Sequence, residues 1–373
     1  MRTTAVSGII FANTQDHVLN EISAERSMAS VPFGGRYRLI DFTLSNMVNA
    51  GISNVAILTK GNYRSLMDHL GSGIFWDLDR KNGGLHIFPP YITSGTRRYH
   101  NYIEALYGAL DFIKRCNSDY IVLSSSAFVA NIDLTAAIRA HAKSNADATL
   151  IYTHGKAPKN IETTLYVTVG DDNKIVNGRI STDGEENVDY LLDIIIFKRE
   201  VLAKLVKEVY DNGGATVNKD IILENINSLK LYGFEHKGYA SVMDSVNTYF
   251  NTNMDLLNFD IRSDLFKNSM RPIFTKTRDD MPTRYGTKAN VDNSFIGDGC
   301  IIEGTVKNSV LFRGVKVEKG AVVENCILMQ GSSVAKDANL KYVITDKNAA
   351  IGSRLVLMGT EEKALIVNKN QSI

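Results

Sequence analysis

Over roughly the first 260 positions, short apolar runs alternate with segments of helical spacing. Val6-Ser7-Gly8-Ile9-Ile10-Phe11 is a buried-strand run followed by polar residues. Thr43 to Ala50 reads as a helix closed by Gly51, a residue type suited to the left-handed position after a helix. Val55 to Thr59, Tyr120 to Leu123 and Ala148 to Tyr152 are further strands, and Ile103 to Lys114 and Leu134 to Lys143 are helices between them. Strands alternating with helices predict a mainly parallel sheet covered on both faces, with ligands at the carboxyl ends of the strands.

The pattern then changes twice. Residues 262–290 are polar and hold Pro272 and Pro282, two of six prolines, which predicts a linker. From 291 apolar residues recur every six positions: Ile296 and Ile302, then Leu311, Val317 and Val323, then Leu328, Val334 and Leu340. Glycines at 297, 299, 304, 314, 320 and 331 fall between them. A hexad repeat predicts a left-handed parallel β-helix, each hexad supplying one side of a triangular coil. The register slips between 302 and 311 and between 323 and 328, so loops or imperfect coils are expected. The expected organisation is an α/β domain over 1–261, a linker over 262–290 and a β-helix over 291–373.

Composition narrows the class of function. The 373 residues are 44% hydrophobic and 22% charged with net charge +1, which fits a globular chain and argues against a nucleic-acid partner. No apolar stretch reaches the roughly 20 residues of a membrane span. Residues 1–13 read as a first strand rather than a signal peptide. Cys116, Cys300 and Cys326 have neither metal nor redox spacing, consistent with a cytoplasmic protein.

The segment Val31 to Asn46, VPFGGRYRLIDFTLSN, closely resembles the signature of ADP-glucose pyrophosphorylases. GSGIFWDLDR (71–80), HIFPPY (86–91) and NMDLL (253–257) match in the same order, so the resemblance spans nearly the whole chain. It implies a nucleotidyltransferase-like, Rossmann-like α/β domain ahead of the β-helix. It also implies a family that joins glucose 1-phosphate to ATP. That transfer needs a glycine loop for the triphosphate, cations for its charge and carboxylates for Mg²⁺.

Against the family pattern, the chemistry is eroded. Counting back from Val31 places the loop LAGGxGxRL on Phe11 to Leu19. Its glycine positions fall on Asn13, Thr14 and Asp16, its arginine on Val18, and the following lysine on Met28. Each added Cβ narrows the approach of backbone amides to phosphate, and Asp16 sets like charge where phosphate should lie. With a shifted alignment Arg26 would serve as the loop cation. The first metal aspartate falls on Ser126 or a neighbouring serine and the second on Val242, with Asp244 two residues away. Asp133 reads as a helix N-cap. Tyr99, Lys219 and Asp220 remain as a possible remnant sugar-phosphate or effector site.

The resemblance therefore implies a GlgD-type regulatory subunit with no catalytic residues and no cofactor of its own, Mg²⁺ belonging to a catalytic partner in a mixed tetramer. The alternative is an active enzyme with rearranged ligands centred on Asp244. An acyltransferase would need a histidine in the β-helix, and the seven histidines all lie between 17 and 236.

Overall fold

The computed structural model describes residues 5–13, 15–90 and 99–373. Thr14 of the loop and Tyr91 of the HIFPPY match lie outside the described residues. The first part of the chain builds a nine-stranded mixed sheet. At its centre Val6–Phe11 lies between Asn54–Leu58 and Tyr120–Ser125, all parallel, with Gly84–Phe88 parallel beyond Asn54–Leu58. Val188–Lys198 then pairs antiparallel with both Tyr120–Ser125 and Ala148–Gly155.

The central strands read as unbroken apolar runs because both of their faces are buried. Ile9, Leu58 and Leu123 point into one core, under the helices Tyr102–Gly108, Leu110–Arg115 and Arg199–Asp211. Ile10, Ile57 and Val122 point into the other, under Leu39–Asn49 and Leu134–Ser144. Successive side chains of a strand face opposite ways, so adjacent isoleucines serve different cores. Two sequence expectations shift slightly. The helix before Gly51 begins at Leu39 rather than Thr43, because Asp41 caps its first turn through the Arg38 N–H at 3.0 Å. The helix predicted over 103–114 is two, meeting at Ala109.

The second part is the expected left-handed β-helix of hexapeptide type, made of three five-stranded parallel sheets. Its coils explain the slips in the hexad register. Lys316, Ser333 and Ala350 stack in one sheet, and Val322, Asn339 and Val356 in the next, so these coils take seventeen residues rather than eighteen, while the earlier coil that stacks Ile301 on Lys316 takes fifteen. In these coils the missing residue is absorbed at the corner between Val323 and Leu328, where Asn325 (φ 50) is left-handed, as is Asn308 (φ 44) one coil earlier; Gly320 (φ 77) and Asp337 (φ 59) turn another edge within full hexads. Glycine, asparagine and aspartate tolerate that conformation.

Leu311, Val317, Val323, Leu328, Val334 and Leu340 fill the interior of the coil. These apolar hexads are thus buried inside the β-helix itself. The linker expectation also changes. The helix Phe259–Phe266 runs into its start, and Arg284–Tyr285 already pairs with Ile301–Ile302 as the first coil.

One sheet of the β-helix turns its outer side chains onto the α/β part. Val310, Phe312, Ile327, Met329 and Ile344 share a single core with Leu19, Met28, Val31, Phe33, Tyr249 and Leu256. The segment immediately after the first strand is thus clamped between the two parts of the molecule.

Candidate functional site

The site begins where the parallel strands end. Past Phe11 the chain turns at Ala12, whose N–H donates to Leu58 O at 3.0 Å, and enters a short helical segment, Asp16–Ile22, preceded by Gln15 in the left-handed region (φ 56). The count from Val31 places the phosphate loop on this stretch, and its Asn13 and Asp16 side chains are held by each other and by neighbouring backbone. The Met28 N–H donates to Asp16 Oδ1 at 2.7 Å, and Asn13 Nδ2 donates to Asp16 Oδ2 at 2.6 Å. Asn13 Nδ2 also donates to Gly61 O at 3.0 Å, while Asn13 Oδ1 accepts from the Lys60 N–H at 2.7 Å. A carboxylate thus occupies the amide and side-chain donors of the turn, as a bound anion otherwise does. Burial raises the Asp16 pKa, with Asn13 and Met28 opposing the shift.

The positions where cations would be needed are apolar and inward-facing. Met28 is fully buried, and Val18 packs against the same core. Arg26 does not substitute for them. It turns away, and its Nη2 donates to both oxygens of Asp346 at 2.8 Å across the boundary with the β-helix.

The metal positions do not fit Mg²⁺. Ser126 is buried and its hydroxyl donates to Phe11 O at 3.0 Å. Val242 ends the strand Ala240–Val242, paired with Phe128. Asp244 lies beyond that strand, and its carboxylate holds local structure. Oδ2 accepts from the Lys159 N–H at 2.7 Å, and Oδ1 accepts from Ser245 Oγ at 3.0 Å and from Thr248 Oγ1. Among the described residues no three His, Cys, Asp or Glu side chains converge as a ligand set. Asp133 does cap the helix Leu134–Ser144, accepting from the Ala136 N–H at 2.9 Å.

Of the residues read as a remnant site, only Tyr99 faces the cavity above the sheet. Lys219 is exposed and is absent from the cavity lining. Asp220 Oδ2 is taken up by the N–H groups of Ala215 and Thr216 at 2.8 and 2.6 Å, fixing the start of the helical segment Val217–Leu223. The three do not form one site. Beside Tyr99 and Asp16 the structure brings in residues the sequence reading passed over. The cavity, about 600 Å³, has Phe11, Tyr99, Tyr102, Gln15, Asp16 and Lys60 among its lining. A deeper recess contains Asp193 and Asn218, with Asn218 Nδ2 donating to Asp193 Oδ1 at 2.8 Å. Burial pushes the Asp193 carboxyl up to about 6, with Asn218 opposing.

A second cavity, about 260 Å³, lies between the α/β part and the β-helix. Arg36, Arg38, Lys276, Arg278, Arg313 and Lys347 all line it, with Asp68 and His69. Arg38 is fixed by Ser65, to whose carbonyl its Nη1 donates at 2.6 Å and to whose hydroxyl at 2.9 Å. Burial is the largest cause, and the charges of Arg38, Arg26 and Arg278 the next, of the Lys347 pKa falling to about 7. So many cations around one small cavity suit a multiply charged anion. Sequence reading missed this cavity because its cations come from segments some 240 to 310 positions apart, and only Arg36 and Arg38 lie in the quoted signature.

Comparisons with known proteins give the same two parts in the same order. Residues 7–177 match the family model described as nucleotidyl transferase, and residues 279–364 the one described as GlmU-like, C-terminal hexapeptide. The glycogen biosynthesis protein GlgD of Bacillus subtilis (strain 168) is 36% identical over 97% of this chain and 95% of its own length. The GlgD of Geobacillus stearothermophilus is 40% identical over the same shares. A glucose-1-phosphate adenylyltransferase of Clostridium botulinum (strain Eklund 17B / Type B) is 32% identical over 88% of this chain and 85% of its length. With two folded parts in the same order and near full-length identity on both sides, the chain belongs to the family that unites the GlgD proteins with the glucose-1-phosphate adenylyltransferases.

Proposed function

We propose that this chain is a regulatory, non-catalytic subunit of a glucose-1-phosphate adenylyltransferase in bacterial glycogen biosynthesis. It works in the cytoplasm, within a mixed tetramer with a catalytic homologue. The observation that carries the reading is the Asp16 carboxylate, bonded to the Met28 N–H and to Asn13 inside its own loop. An ATP phosphate would have to displace that carboxylate and then lie against it. The groups that neutralise charge in phosphoryl transfer are replaced by Val18, Met28, Ser126 and Val242, and Asp244 is held by Lys159, Ser245 and Thr248. Each group lost from such a site costs about 3 kcal/mol or more of transition-state stabilisation.

Regulation fits the second cavity. An anion held among Arg38, Arg278 and Lys347 would touch both parts of the molecule and bias how they pack, which a neighbouring subunit can read. The test is ADP-glucose synthesis by the pure chain, alone and mixed with a catalytic homologue from the same organism. The expected result is no turnover alone, co-elution with the homologue, and altered rate or effector response of the mixture. Turnover near ~1 s⁻¹ by the chain alone, an ordinary enzyme rate, or separate elution with unchanged kinetics, overturns the proposal.

A further inference from the structure

The stretch GSGIFWDLDR (71–80) contributes no lining residue to the cavities described above, yet it builds one of its own. Ile74–Trp76 is a single helical turn held between two left-handed residues, Gly73 (φ 83) and Asp77 (φ 54), and the Trp76 N–H donates to Gly73 O at 3.0 Å. The turn packs against the helix Leu39–Asn49. At the end of that helix lies a cavity of about 300 Å³, walled by Val48, Ile52, Ile74, Phe75, Trp76 and Phe274.

Its polar groups are few, and they ask for an acceptor. Trp76 is 1% exposed, and its indole N–H has no partner among the described residues. A buried donor without an acceptor is costly, so the cavity is completed by a ligand that accepts. Arg80 also lines it. Its Nε donates to Asp77 O at 2.7 Å and its Nη2 to the Asp77 carboxylate, which leaves Nη1 without a partner among the described residues. The Asn49 amide is taken by Pro272 O at 3.0 Å, and the Ser53 carbonyl by the Gly84 N–H at 2.7 Å.

A polyanion would find one cation here, already shared with Asp77. A sugar would set its hydroxyls against aliphatic and phenyl walls, where they go unpaired. An amine would leave the indole N–H unanswered and would find the Asp77 carboxylate taken. One carboxylate answers both donors, and an apolar body behind it fills the walls. About 300 Å³ holds a single ring or a short branched chain. We propose that this cavity binds a small apolar monocarboxylate, its oxygens on Trp76 Nε1–H and Arg80 Nη1 and its body on Ile74 and Phe274. The site is separate from the basic cavity, whose lining residue His69 packs edge to face on the Trp76 ring at 5.6 Å. It draws on nothing in the phosphate loop and stands whether or not the chain has turnover.

Trp76 is the one tryptophan of the chain, so an isotope-labelled full chain gives one indole N–H resonance, and that resonance reports on this cavity directly. Titration with phenylacetate or isovalerate should shift it saturably, and downfield, as the N–H gains an acceptor. Phenylacetamide, which accepts without charge, should bind more weakly than phenylacetate, and phenethylamine and inorganic phosphate should leave the resonance in place. By calorimetry, Trp76→Phe should weaken phenylacetate about tenfold or more, the loss of a hydrogen bond to a charged group. Arg80 is 44% exposed, so Arg80→Gln keeps the fold even if Trp76→Phe does not. It should weaken phenylacetate about fivefold and phenylacetamide hardly at all. A resonance unmoved by both acids, phenethylamine binding as tightly as phenylacetate, or phenylacetate affinity unchanged in Arg80→Gln overturns the inference.

Discussion

Removing the guanidinium of Arg26 should cost more stability than any other single change in the loop region. Arg26 and Asp346 are 3% and 4% exposed, and one guanidinium nitrogen reaches both carboxylate oxygens at 2.8 Å. The pair joins the segment after the loop to the third face of the β-helix, inside the core shared by both parts. In Arg26→Met the packing volume is largely kept, but Asp346 is left charged and buried. Its Oδ1 still accepts from the Lys347 N–H at 2.6 Å, which does not replace a cation. Breaking one side of a buried pair costs about 3–5 kcal/mol, a large part of the roughly 5–15 kcal/mol that holds a domain folded. Adding Asp346→Asn removes the stranded charge and keeps an acceptor for Lys347, so the double variant should recover ~2 kcal/mol or more. Urea unfolding of the four proteins measures this. A loss below about 1 kcal/mol in Arg26→Met, or a double variant as unstable as the sum of the singles, refutes the assignment of Arg26 as the tie between the two parts.

Other outcomes follow from the same structure. The Asp193 carboxyl is raised to about 6 by burial, so the folded chain binds more protons than the unfolded one between pH ~4 and 6 and loses stability as pH rises through that window. Asp193→Asn should therefore be more stable than the parent by ~2–3 kcal/mol at pH 7.5 and no more stable near pH 4, read from thermal unfolding against pH. Lys347 runs the opposite way: with its value lowered to about 7, stability falls as pH drops from near 10 toward 7 and the buried amine takes up its proton. Sulfate should raise the Tm more at pH 6 than at pH 9, and Lys347→Met should flatten that difference. An alanine methyl at Gly304 would meet Ala321 O, and Glu318 O at 2.7 Å, within the β-helix. Gly304→Ala should then cost ~1–3 kcal/mol, whereas Gly108→Ala, with open space around it, should be neutral or slightly stabilising in the same urea assay.

The fold was legible because its signals are local. Period-two and hexad patterns report which side chains face inward, and every interior hexad residue from Leu311 to Leu340 fills the coil as its spacing requires. The seventeen-residue coil was not legible as such. It appeared as a slipping register, because the residue lost at each turn is absorbed by corners such as Asn308 and Asn325, which carry no apolar mark. At the site, the sequence marked where groups fall but not where they point. Asp244 and Asp220 look available as ligands, yet both carboxylates are spent on local backbone and hydroxyl donors. Arg26 looks like a spare loop cation and is bound to a residue 320 positions away. Asp193 and Lys347 stand in stretches with no motif; only a strand bulge and an inter-domain cavity give them a place.

The closed loop and the basic cavity are two ends of one short path. Met28 closes the loop by donating its N–H to Asp16. Two residues earlier Arg26 holds Asp346, whose Oδ1 also receives the N–H of Lys347, a lining residue of the basic cavity. Further along the same segment Arg36 and Arg38 enter that cavity from the other side. An anion that draws Lys347 and Arg38 together therefore acts on Asp346, through Arg26 on Met28, and so on the turn that holds Asp16. Met28 is fully buried and Arg26 nearly so, packed in the core that both parts share, which leaves little slack for a displacement to dissipate. Here the path ends on a carboxylate fixed in place. If the same turn carried glycine at positions 13, 14 and 16, the path would end on donors free for phosphate, and the cavity would bear directly on nucleotide binding. In the function proposed above, the replacement of those residues would remove the output within this chain while leaving the basic cavity in place. That division is what a subunit needs if it is to respond to an effector and pass the response across an interface rather than to a pocket of its own.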